Sequence, residues 1–71
     1  MIAMHLNESR IRLENIYLLW KRKAEDEPKS RFARCFPRVE AVFRETVRDT
    51  DAEFVVAVAR QLAAMYVNKH D

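Results

Sequence analysis

The chain has 71 residues, 49% hydrophobic and 34% charged, with a net charge of +2; that is one folded domain, residues 1–71, and not a disordered chain. It contains no glycine, which removes the residue that tight hairpins and phosphate-cradling loops use for positive φ, so a β-rich fold, a P-loop and a dinucleotide fingerprint are all disfavoured. A domain this small buries a modest share of its surface and ordinarily needs a disulfide, a metal or a second subunit; with Cys35 as the single cysteine, no intrachain disulfide is available.

The first predicted helix starts near Asn7, a good N-cap, or earlier near Ile2, and runs to about Ala24. At about 100° per residue it carries two apolar stripes. Ile2, Leu6, Leu13, Ile16, Tyr17, Trp20 and Ala24 share one face; Met4, Ile11 and Leu18 recur every seven residues on nearly the opposite one. A three-helix monomer has use for only the first. The second must meet another chain or stay exposed.

The acidic segment Glu25–Glu27 followed by Pro28 ends the helix, and Ser30 is placed to cap the next. Phe32, Phe36, Val39, Phe43 and Val47 then form one clean stripe. Pro37 lies inside it. Since an interior proline costs about 3 kcal/mol, the expectation is a turn over 31–36 and a helix that starts or breaks at Pro37.

The third helix has a capping-box pattern, Thr50-Asp51-Ala52-Glu53, with Thr50 as N-cap and Glu53 reaching back. Its main face is Phe54, Val55, Val58, Ala59, Leu62, Met65 and Tyr66; Val56, Ala63 and Val67 form a narrower one. It ends near Asn68, which is suited to a left-handed C-cap. The apolar run from Phe54 to Val67 is interrupted by Arg60 and Gln61 and is shorter than the roughly 20 residues that span a bilayer. No membrane association is expected. The N-terminal residues have no basic region and no apolar core of a secretory signal, and the lone thiol suits a reducing compartment, so the expected location is cytoplasmic.

Residues for chemistry are sparse. His5 and His70 sit at opposite ends of the chain with no ligand at metal-binding spacing. Cys35 lies beside Arg34 and near Arg38, which could activate it, but its place next to Phe32 and Phe36 reads as a half-buried core thiol. Ser9 and Ser30 are helix-start residues. No catalytic residues, metal or cofactor, and no small-molecule substrate, are expected.

The basic residues are more suggestive. Residues 10–48 hold eleven Lys and Arg against six Asp and Glu. Arg31, Arg34 and Arg38 fall opposite the apolar stripe of helix 2, and Lys21, Arg22 and Lys23 cluster at the end of helix 1. A basic helix face is what phosphate contact requires. The same residues are also what a solvated face and a helix C-terminal dipole call for. Helix 3, which would have to read a groove, is the most apolar of the three.

The fold expected is all-α: a long helix 1 across a hairpin formed by helix 2, a short turn and helix 3, assembled into a helical homodimer. The function expected is that of a small non-catalytic protein-binding regulator of adaptor, inhibitor or chaperone type, docking through helix faces, with Met4, Ile11, Leu18, Tyr17 and Trp20 at the interface. The alternative is a dimeric nucleic-acid-binding regulator using Lys21, Arg22, Lys23, Arg31, Arg34 and Arg38.

Overall fold

In the computed structural model, which describes residues 5–68, three helices follow one another: α1 Leu6–Asp26, α2 Arg31–Thr46 and α3 Ala52–Val67. Ile2, Met4 and His70 lie outside the described residues. No strand occurs among the described residues, and no helix there is long and apolar enough to cross a membrane.

The core is built on one face of α1. Leu13 and Trp20 are fully buried and Ile16 nearly so. They pack with Val39 of α2 and with Val55, Ala59 and Leu62 of α3. The Trp20 indole N–H donates to the Leu62 carbonyl at 3.0 Å, so the largest core side chain buries its polar atom with a partner. Aromatic rings extend this core along α2. Tyr17 stacks on Phe43 with ring centres 4.1 Å apart and meets Phe36 at 5.6 Å. Trp20 meets Phe32 and Tyr66 edge-on.

The expected hairpin of α2 and α3 is not close-packed. Each of these helices lies along α1, and they touch each other little. α1's inner face serves both neighbours: Trp20 meets Phe32 of α2 and, on α3, Leu62 and Tyr66.

Four local expectations are corrected. α1 begins at Leu6 with His5 as N-cap, not at Asn7, and continues to Asp26. α2 does not wait for Pro37; it begins at Arg31 and carries the proline within it. The aromatic stripe that spans Phe32 to Phe43 outweighs the one backbone bond that Pro37 cannot donate. α3 is capped by Asp51 and not by Thr50: the Asp51 carboxylate accepts from the N–H of Glu53 and Phe54 at 3.1 and 3.3 Å. Asp49 in turn accepts from the Asp51 N–H at 2.8 Å, which locks the tight turn. Finally, Asn68 is extended, not left-handed.

What closes the end of α3 is Arg31, from the start of α2. Its guanidinium donates to the carbonyls of Met65, Tyr66 and Asn68 at 2.8, 2.9 and 2.7 Å and stacks over the Phe32 ring at 4.3 Å. The carbonyls that a helix C-terminus leaves unpaired are thereby satisfied by a cation, the charge the helix dipole favours there. At the opposite end of the molecule Arg10 donates to the Asp49 carbonyl at 3.1 Å, tying α1 to the α2–α3 turn.

Candidate protein-docking site

The two apolar stripes of α1 separate cleanly in three dimensions. Its inner stripe is the core. On its outer side Ile11 and Leu18 are each 55% exposed, and Leu19 beside them is 47% exposed. Asn15, Leu18, Leu19, Lys21, Arg22 and Glu25 surround a shallow depression of about 430 Å³ on this face. Met4, the third member of the expected seam, lies outside the described residues.

Tyr17 and Trp20, expected at an interface with another chain, are used within this one. Trp20 has no exposed surface. Tyr17 is half-buried under Phe36 and Phe43, and its hydroxyl donates to the Glu40 carboxylate at 2.9 Å. Burial, and the carboxylate that holds its proton, push the Tyr17 phenol above its ordinary range. Helical spacing places these two residues on α1's inner face, and the inner face is where they stay.

A second apolar surface follows from the separation of α2 and α3. Between them runs a groove of about 290 Å³, walled chiefly by Val39 and Val42 on one side and Val58, Leu62 and Met65 on the other, with Arg38 at its rim. Its α3 wall, Val58, Leu62 and Met65, belongs to the main apolar face expected of that helix, whereas Val56 and Ala63 of the narrower stripe lie by Ile16 of α1. Of that stripe, Val56 is buried and Ala63 partly so, whereas Val67 is 69% exposed. Phe54, expected in the main core face of α3, is 48% exposed at the helix start.

The six cations considered for phosphate contact are not gathered on one face. Arg31 is taken up by the end of α3. Lys23 pairs with Glu27 at 2.8 Å, lies near the Phe32 ring, and is raised above its usual range by that hydrogen bond. Lys21 and Arg22 border the depression on α1, while Arg38 borders the α2/α3 groove. Arg34 is exposed and reaches back to the Lys29 carbonyl at 3.5 Å. Cys35 is a free, half-buried thiol packed against the core, and His5 is exposed. Among the described residues no cluster of three or more His, Cys, Asp or Glu is placed to hold a metal ion.

No protein-family model matches the chain, and no curated protein or solved structure resembles it at a significant level.

Proposed function

We propose that this chain is a small non-catalytic protein-binding module, of adaptor, inhibitor or chaperone type, that works in the cytoplasm as a dimer by laying helix faces against helix faces. One observation carries the reading. The core closes around Trp20 while Ile11, Leu18 and Leu19 remain about half exposed on the far side of the same helix. Contiguous apolar surface left over after a core is complete marks a site of association, and its removal from water supplies roughly 25 cal/mol per Å². The α2/α3 groove supports the same reading, because an apolar trench between two helices suits the apolar stripe of an incoming helix. Arg38 at the rim would then select partners with an acidic flank.

The test is solution mass at micromolar concentration together with a photo-crosslinking residue at Leu18. The expected outcome is a mass above that of one chain and a crosslinked protein product. A compact monomer whose Leu18 position joins to no protein, in the pure state or in a cell extract, overturns the reading.

A second reading, a nucleic-acid-binding regulator, draws on the four of those six cations that are exposed to solvent: Lys21, Arg22, Arg34 and Arg38. Duplex DNA titrated at about 50 mM and about 200 mM salt separates the two, since phosphate-driven binding weakens steeply over that range. No binding at the lower salt removes it.

A further inference from the structure

We propose that the outer face of α1 is covered by a second copy of this chain, packed antiparallel, with Ile11 of each copy against Leu18 of the other and Glu8 of each against Arg22 of the other. This rests on the dimeric part of the reading above and adds to it a surface, a direction and a register.

The argument is one of pattern and charge. Ile11 and Leu18 form the centre of the outer stripe. Glu8, Asn15 and Arg22 recur every seven residues along one of its edges, and Asn7, Glu14 and Lys21 along the other. All eight residues are exposed. The side chains of Glu8, Glu14, Lys21 and Arg22 enter none of the chain's own ion pairs, which are Lys23–Glu27 and Arg44–Glu40 among the described residues. So Glu8 and Glu14 stand toward one end of the face and Lys21 and Arg22 toward the other, none of them in an ion pair within the chain, and Glu25 follows Leu18 at the same seven-residue spacing.

A two-fold antiparallel pair brings each edge of the stripe against its own copy, reversed. With Ile11 opposite Leu18, the axis passes beside Glu14 and Asn15. Along one edge Glu8 then meets Arg22, twice by symmetry, and the Asn15 amides meet each other, donor to acceptor. Along the other edge Asn7 meets Lys21. Between Asn7 and Arg22 the like-charged contact is Glu14 with its own copy near the axis. A parallel pair does worse in its charges, because it sets Glu8 and Glu14 of one copy beside those of the other and Lys21 beside Arg22. Sliding the antiparallel pair until Leu18 meets Leu18 also fails: Glu8 is carried past the end of α1 at Asp26. In the favoured register, Ile11 of the second copy is seated at the depression that Leu18, Leu19 and Arg22 line. The apolar pair supplies most of the affinity, and the charges fix direction and register. The α2/α3 groove stays open for a partner.

Sedimentation equilibrium of the full chain over a range of concentrations tests this. Ile11→Asp and Leu18→Asp are expected to abolish the dimer while circular dichroism stays that of the wild type. Glu8→Arg and Arg22→Glu each weaken it by about tenfold, as paired charges become like charges at two symmetric places. An equal mixture of those two variants regains wild-type affinity, because each supplies the charge the other lacks. Glu14→Gln tightens the dimer by about threefold, since it removes the like pair at the axis. A wild type that is monomeric at every concentration overturns this contact and the dimeric reading together. A dimer indifferent to Ile11→Asp, or a mixture no tighter than its components, overturns the antiparallel α1 contact and leaves the dimeric reading standing.

Discussion

The inner and outer faces of α1 are both apolar at helical spacing, yet they have opposite fates. Leu13, Ile16 and Trp20 are in the core, whereas Ile11, Leu18 and Leu19 face solvent. What differs is what flanks them. The inner face is continuous and wide, with Ser9 buried at its start, where the hydroxyl donates to the His5 carbonyl at 3.2 Å. It can therefore hold two helices at once. The outer face is a single file with charged residues on both edges, suited to one helix from elsewhere. Apolar content alone does not say which face is core; width and flanking charge do.

The sharpest way to break this contrast is substitution at Trp20 against substitution at Leu18. Trp20→Ala removes the largest fully buried side chain and orphans the Leu62 carbonyl contact, at a cost of about 3–5 kcal/mol, enough to unfold much of a 71-residue chain at room temperature. Leu18→Ala, by contrast, leaves monomer stability within about 0.5 kcal/mol. Urea denaturation, with the low-concentration monomer as reference, measures both. Comparable losses at the two positions would mean that the outer face is part of the core after all.

Next in size is Arg31. Its three hydrogen bonds to the end of α3 join the start of one helix to the end of another across the molecule. Arg31→Ala is expected to cost about 2 kcal/mol, the range for hydrogen bonds made by a charged group. Arg34→Ala, one turn on and exposed, should cost almost nothing. If the two behave alike, Arg31 belongs to the solvated basic face and not to the scaffold.

Smaller again is the start of α3. Asp51→Ala removes the cap that holds the Glu53 and Phe54 amides and should cost about 1 kcal/mol, whereas Thr50→Ala should be neutral. The reverse result would restore the capping box that the letters Thr-x-x-Glu suggest.

These contrasts also show where sequence was legible. Three helices, their order and the core character of Trp20 follow from periodicity, because burying a stripe of large side chains dominates local preferences. The separation of α1's stripes was legible for the same reason, since seven-residue spacing puts Ile11 and Leu18 together whatever else the chain does. What spacing could not supply was anything decided between elements. Arg31 reads as one of three arginines in a row, and only the placement of the α3 carbonyls beside it distinguishes it. Pro37 reads as a break, but the aromatic stripe on either side of it packs on α1 as one surface and keeps the helix whole. Thr50 and Asp51 are both good caps; the choice fell to Asp51 because Asp49 fixes its backbone. The groove between α2 and α3 depends on both helices packing along α1 and little on each other, a property of the packed helices and not of any one of them.

The smallest expected effect concerns how the Tyr17 contact responds to alkali. Its phenol is raised above 10.0 by burial first and then by the hydrogen bond to Glu40. A folded-state pKa above the unfolded one means that the unfolded chain gives up its proton sooner. The stabilisation is therefore complete below about pH 10 and is lost as pH climbs through the raised value. Lys23 works in the same direction, since the Glu27 carboxylate favours its charged form and that preference also disappears in alkali; being exposed, it contributes little. Melting temperature should thus hold level between neutral pH and about pH 10 and fall beyond it. Tyr17→Phe should lower stability at neutral pH by under about 1 kcal/mol, for the lost hydrogen bond, and should flatten the alkaline decline. Lys23→Gln should change that slope less. An alkaline decline identical in wild type and Tyr17→Phe would show that the Tyr17–Glu40 contact is a surface accident and that the ring stack with Phe43 alone holds this end of α1 to α2.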